Sequence, residues 1–338
     1  MDSRINGSAN QPITPALVTR RIPEAGLRRL EESGVAFEVC CEDRPPTREE
    51  LLAAVKGRVG LLTTLADRVD EELLDSAGTQ LKVVANFAVG FNNVDVAEAT
   101  RRGVAITNTP GVLTEATADI AWLLIMMAAR RATEGHRMVV SGGFHGWGPK
   151  MLLGQDLVGK TLGIVGAGRI GSAVARRSRG WSMKVTYADP EPNAEFEREF
   201  GARRVDLETL CRESDIITVH VPLTPETRGM FGVAQFALMK PTAVFVNTAR
   251  GEVHDEAALA AALRDGCVFG AGLDVYENEP QVNTDLMNLD RVALLPHIGS
   301  GTIQTRDQMA IMAADNLVAA LRGERPPNLV NREVFPSA

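Results

Sequence analysis

Apolar residues in the first hundred positions fall into short runs separated by stretches with helical spacing. Residues 16–19, 37–40, 60–63, 81–85 and 104–107 read as strands. Segments beginning at Pro23, Thr47, Asp70 and Asp95 keep a helical period between them. Such alternation predicts a parallel sheet covered by helices. A helix follows from Thr114 to about Arg131, opened by a threonine cap and closed by two arginines that suit a helix C-terminus. Over 120–129 it is apolar on every face, so cover is expected all round, between domains or between subunits. Residues 141–154 are rich in glycine and include Trp147 and Pro149. They read as a long excursion of the kind that serves function or an interface.

A second alternation places strands at 161–165, 184–188, 216–221, 243–247, 270–275 and 292–295, with a helix over 255–264 among them. After His297 about forty residues remain, too few for a stable domain. They include an amphipathic helix over about 302–322, which must return to a domain already formed.

Length and charge narrow the class. At 338 residues two domains are expected, and 45% hydrophobic content is enough for packed cores. A net charge of -7 and a pI near 5.4 argue against a nucleic-acid surface. The longest apolar run, 120–129, is about half of what a membrane span needs. The opening MDSRINGSANQP carries no apolar signal region, so 1–13 is expected to be a loose tail and the protein cytoplasmic. Four cysteines without CxxC spacing fit reduced thiols, and the five histidines show no zinc spacing.

The stretch 160–189, KTLGIVGAGRIGSAVARRSRGWSMKVTYAD, carries the first chemistry. A strand leads into Gly166, Gly168 and Gly171, a helix follows, and a second strand ends on Asp189. In a dinucleotide turn the first glycine permits the bend, the second admits the pyrophosphate, and the third lets helix and strand pack closely. An acid at Asp189 accepts hydrogen bonds from both ribose hydroxyls, and Pro190-Glu191 offers no arginine to a 2′-phosphate. NAD is therefore favoured, with NADP possible but less so.

Three strand ends supply the second set. Arg250, Glu279 and His297 each follow a strand of the second alternation, and parallel strands joined by crossovers bring their ends to one edge of the sheet. Singly, these are an ordinary loop charge, a turn acid and a core histidine. Jointly they suit a 2-oxo acid. Arginine holds a carboxylate in two bonds, histidine exchanges a proton with an alkoxide, and an acid fixes the ring. His220 and His254 keep the ordinary reading, with His220 lining the cofactor cleft through its backbone. In the first alternation 86–91 follows a strand directly and so lies at the ligand-binding edge of that sheet.

The segments VGAGRIG, HVPLTPET, NTARG, GLDVYENEP and LLPHIGS resemble the D-isomer-specific 2-hydroxyacid dehydrogenase family. NFAVGFNNVDV, TNTPGVLTEATAD and FHGWGPK are similar to its glyoxylate and hydroxypyruvate reductase branch. The resemblance implies two Rossmann-like, doubly wound α/β domains. A discontinuous substrate domain, 14–112 and 299–338, flanks a dinucleotide domain, 113–298, that carries a dimerisation helix and loop. It implies reduction of glyoxylate or hydroxypyruvate to the D-2-hydroxy acid, with Arg250 as carboxylate binder, His297 as acid/base and Glu279 as its partner. It also implies cofactor contacts from Thr117, Gly166, Gly168, Arg169, Ile170, Gly171, Asp189, His220, Val221, Pro222, Thr227, Thr248, Ala249, Asp274 and Gly299. Leu65, Val89, Gly90 and Trp147 would line the substrate with Arg250 and His297. A homodimer is implied, in which Trp147 reaches the partner's site. Two positions depart from the family pattern: His254, where an apolar residue is usual, and Asn92, where Asp is common. A nicotinamide-sensing, co-repressor-like protein and a sister enzyme such as phosphoglycerate dehydrogenase stand as alternatives.

Overall fold

The first alternation forms β1 (Ala16–Val18), β2 (Phe37–Val39), β3 (Gly60–Thr64), β4 (Val83–Phe87) and β5 (Ala105–Thr107). All pair in parallel, in the order β2-β1-β3-β4-β5. Leu61, Leu73, Val84 and Ile106 are among the residues of its core. The helix Ile303–Leu321, from the far end of the chain, packs on β3, β4 and the helix Glu24–Glu32. That last contact is close, since a Cβ added to Gly26 would stand 2.7 Å from the Cβ of Ala310. The chain divides accordingly into one unit of Met1–Val112 with Ile303–Ala338 and another of Leu113–Thr302. The computed structural model describes residues 15–335, and the expected tail at 1–13 lies outside them.

The second unit holds β6 (Thr161–Val165), β7 (Lys184–Ala188), β8 (Arg203–Arg204), β9 (Ile216–Val219), β10 (Val244–Asn247), β11 (Gly270–Leu273) and β12 (Val292–Leu294). These too are parallel throughout, ordered β12-β11-β10-β9-β6-β7-β8. The order reverses between β6 and β9, which makes their carboxyl ends the place where a doubly wound sheet opens a crevice. Central strands such as β9 and β10 are buried at every position, which explains their nearly continuous apolar sequence. β8 went unseen in the sequence because two exposed arginines carry no hydrophobic signature.

The helix expected from Thr114 is Thr114–Ala129, preceded by Leu113 at its N-cap rather than by a threonine. Its cover differs from the expectation. Ala118, Ala121, Leu124, Ile125 and Ala128 are buried in the core of its own unit, against the helix Arg169–Ser178, β10 and β11. Only Leu123 and Met126 of its large apolar side chains stay exposed. A further helix, Ala132–Val140, buries none of its residues and so gave no periodic signal of burial. It and the segment after it expose Val139, Val140, Phe144, Trp147 and Leu153. No helix among the described residues is long and apolar enough to cross a membrane.

All three tryptophans, Trp122, Trp147 and Trp181, belong to this second unit, so fluorescence follows its unfolding. Leu124 is fully buried and fills the space over Gly272, where an added Cβ would meet the Cβ of Leu124 at 2.7 Å. Leu124→Ala is expected to remove about 2–5 kcal/mol of stability. An unchanged midpoint in urea, read by tryptophan emission, would contradict this packing.

Candidate active site

The glycine turn sits where β6 meets the helix Arg169–Ser178, at the reversal of strand order. Each glycine has its own physical reason. Gly166 adopts φ 95 and lies so close to His220 that a Cβ would meet its carbonyl carbon at 2.9 Å. Gly168 faces open space, with no atom within 4 Å of an added Cβ. A Cβ on Gly171 would stand 2.2 Å from the Gly166 oxygen, which holds helix and strand together. Gly168 caps the helix without a side-chain bond, so the first-turn N–H groups are left to an anion.

A cleft of about 1220 Å³ opens beside this turn, lined by Gly166, Gly168, Asp189, His220, Val221 and Pro222 among others. Thr227 also lines it, and its hydroxyl donates to the Pro222 carbonyl at 2.6 Å. The Asp189 carboxylate accepts the Ala167 N–H at 2.9 Å, while the Asn193 side chain donates to the Ala167 carbonyl at 2.9 Å. The turn is therefore anchored from both sides of one residue. These features fit a dinucleotide.

His220 turns its ring inward. Its Nε2 lies 2.9 Å from Thr218 Oγ1 and its Nδ1 3.4 Å from Thr248 Oγ1, and burial pushes its pKa down to about 3. It stays neutral, and His220 is among the residues lining the cleft. Gly171, Thr117, Thr248, Ala249, Asp274 and Gly299 do not line the cleft, and Arg169 and Ile170 open the helix beyond the turn. Sequence reasoning missed Arg204, whose guanidinium donates to the carbonyls of Asp189 and Pro190 at the cleft wall. Only the pairing of β8 with β7 brings it there.

The second cluster forms where β10, β11 and β12 end side by side. Glu279 Oε2 lies 2.7 Å from His297 Nδ1. The other Glu279 oxygen accepts the Tyr276 N–H at 3.1 Å, and the Tyr276 hydroxyl donates to the Leu295 carbonyl at 2.8 Å. His297 takes a left-handed φ of 53, and the two N–H groups after it, Ile298 and Gly299, donate to the two oxygens of buried Asp274 at 2.7 Å each. Gly251 presses the Arg250 loop onto this frame, since a Cβ there would stand 1.8 Å from the Tyr276 carbonyl carbon.

Electrostatics link the three side chains. Burial lowers the Arg250 pKa below its ordinary value, opposed by the nearby charges of Glu279 and Glu252. Burial pushes Glu279 up, but the hydrogen bond and charge of His297, the Tyr276 N–H and the charge of Arg250 together bring it below the usual carboxylate range. Burial also raises Asp274, against the pull of its two N–H donors and of His297. With Nδ1 committed to Glu279, Nε2 is the ring atom left for a ligand.

The other unit holds its predicted residues in a well-braced loop. Leu65 directly follows β3. Asn108 donates to the Val89 carbonyl at 2.8 Å and Asn86 to the Gly90 carbonyl at 3.1 Å. The N–H groups of Val89 and Gly90 take no partner among the described residues. Trp147 is 81% exposed.

Residues 122–299 match the family model of the D-isomer specific 2-hydroxyacid dehydrogenase, NAD binding domain. The chain belongs to this dehydrogenase family. The glycine turn, Arg250, Glu279 and His297 all lie within the matched segment. A glyoxylate reductase of Thermococcus litoralis is 49% identical over 95% of this chain and 98% of its own. A solved protein of Thermus thermophilus superimposes with a TM-score of 0.88 at 44% identity, covering 94% of this chain and all of that one. An NADPH-dependent glyoxylate/hydroxypyruvate reductase of Sinorhizobium meliloti, solved with NADP and malonate, gives 0.84 at 32%, covering 96% and 99%. Two parallel doubly wound sheets, as read from the sequence, are thus the architecture of this dehydrogenase.

Proposed function

We propose that this chain reduces glyoxylate and hydroxypyruvate to their D-2-hydroxy acids, and that Arg250, Glu279 and His297 do the protein's share of the chemistry. The Glu279–His297 pair at 2.7 Å, with Arg250 electrostatically coupled to it, carries the reading. Held by its pyrophosphate at the glycine turn, a reduced nicotinamide dinucleotide would supply the hydride. Arg250 holds the substrate carboxylate with two N–H donors and polarises the neighbouring carbonyl. His297 Nε2 delivers the proton to the oxygen that becomes the alcohol, while Glu279 on Nδ1 fixes the ring. In the oxidative direction the same nitrogen accepts the proton. The carbonyls of Val89 and Gly90 are tied back, which leaves their N–H groups as donors from the unit proposed to serve the substrate.

His297→Gln is expected to lower turnover by about 10² to 10⁴-fold, with NADH binding intact because the glycine turn is untouched. Glu279→Gln removes the carboxylate that meets His297 Nδ1, so turnover is expected to fall. Wild-type Glu279, held below the usual range, stays ionised until the pH falls below its lowered pKa, so an acid limb attributable to it disappears in the variant. An unchanged pH profile would give Glu279 a structural role only.

For the cofactor we favour NAD over NADP, because Asp189 lines the cleft just after β7, where a carboxylate would accept from both ribose hydroxyls, with Glu191 two residues on. Arg204 is the counterweight, a cation held on the Asp189 and Pro190 carbonyls. NADH is expected to give the higher kcat/KM, Asp189→Ala to narrow the gap and Arg204→Ala to widen it. Equal values for the two cofactors in the wild type would refute the preference.

A homodimer fits the exposed apolar side chains of Leu123, Met126, Val139, Val140, Phe144 and Trp147, which an isolated chain would leave in water. Trp147 then reaches a substrate pocket only on the partner. Sedimentation at micromolar concentration should return twice the chain mass of 36.4 kDa, and the monomer mass would end the idea. The four unpaired thiols support a cytoplasmic setting.

The substrate panel tests the whole reading. Glyoxylate and hydroxypyruvate should surpass phosphohydroxypyruvate by more than about a hundredfold in kcat/KM, because Leu65, Val89 and Gly90 offer no cation to a phosphate. A phosphorylated or branched acid coming out best would overturn the substrate assignment.

A further inference from the structure

His254 is 1% exposed, and its ring packs 5.6 Å from that of Phe245. Its Nδ1 lies 3.0 Å from Nδ2 of buried Asn247. The same Nδ2 donates to the Arg250 carbonyl at 2.8 Å, and Asn247 Oδ1 accepts the Ala249 N–H at 2.8 Å. These two backbone contacts decide which end of the amide is nitrogen. An NH2 group has two protons, and with one committed to Arg250 the other points at His254 Nδ1, which must then be bare. The ring proton therefore sits on Nε2, which has no hydrogen-bond partner among the described residues, while the Gly251 backbone also lies against the ring. A buried, unpaired donor costs stability, so a position that needed only filling would be better served by an apolar side chain.

We propose that His254 is a positioning residue: by accepting the second Asn247 proton it locks the amide that clamps the Ala249 and Arg250 peptides, and so fixes where the Arg250 guanidinium sits. The inference rests on Arg250 as the carboxylate binder. Asn247 lies at the end of β10 and Arg250 three residues on, so a rotation of this amide moves the loop that carries the guanidinium. Gly251, packed against the Tyr276 carbonyl, removes slack from the other side. Without the acceptor, one amide proton is stranded in a buried site, and the amide turns toward another partner at the expense of the Arg250 carbonyl.

Two measurements test it. Selective ¹⁵N labelling of histidine in the full chain reads the tautomer of His254 directly. The Nε2–H form is expected, and the Nδ1–H form overturns the relay. In the second, KM for glyoxylate, kcat, the NADH dissociation constant and Tm are compared for the wild type, H254N and H254Q. The side chain of Asn sets its oxygen near the place of Nδ1, whereas the longer Gln carries its amide past it. H254Q is expected to raise KM about tenfold, with kcat within about threefold and NADH binding unchanged, while H254N stays within about twofold of the wild type. A KM for H254Q equal to the wild type overturns the proposal. So does a KM that rises alike in both variants in step with a lost Tm. Arg250→Lys separates the two readings: an unchanged KM there defeats Arg250 as the carboxylate binder, whereas the tautomer result is independent of that role.

Discussion

One buried carboxylate supports the catalytic edge. Asp274, at the end of β11, accepts the N–H groups of both residues that follow His297. A non-glycine residue in the left-handed region is disfavoured by roughly 1–2 kcal/mol, and His297 holds such a conformation. Two short bonds to a carboxylate offset that cost. Remove them and the histidine segment loses its reason to bend, and the distance to Glu279 loses its meaning. The acid is a brace here, turned away from the cleft and toward the backbone it orders.

Charge is arranged with similar economy around Arg250. Burial disfavours the guanidinium, and Glu279 counters that while also holding the histidine. Glu279 thus acts on both Arg250 and His297, and Glu252 adds a second negative charge near the guanidinium.

Much of the architecture was legible because parallel strands buried on both faces are written as apolar runs, as in β9 and β10. The glycine turn was equally plain, since Gly166, Gly168 and Gly171 answer to backbone geometry that few other residues satisfy. Arg250, Glu279 and His297 could be grouped because crossover connections put consecutive strand ends on one edge. What stayed hidden has no local signature. β8 consists of two exposed arginines, and only sheet pairing lays Arg204 on the loop after β7. The helix Ala132–Val140 has no buried residue to give it a period. The helix Thr114–Ala129 misled because uniform apolarity tells how much cover is needed but not which surface gives it. Its own sheet supplies most.

The path of the chain has a consequence for how the molecule is made. The helix Ile303–Leu321 lies on β3, β4 and the helix Glu24–Glu32, with Gly26 leaving room for Ala310. On the ribosome the first sheet is synthesised early, yet this covering helix emerges only after the whole of the second unit. Until then one face of the nascent sheet keeps its apolar side chains uncovered, a surface that chaperones recognise and that aggregation exploits. The second unit is continuous in sequence and has no such wait. Synthesis in this order thus completes the later-made unit first, and the helix Ile303–Leu321 closes the structure that was begun first.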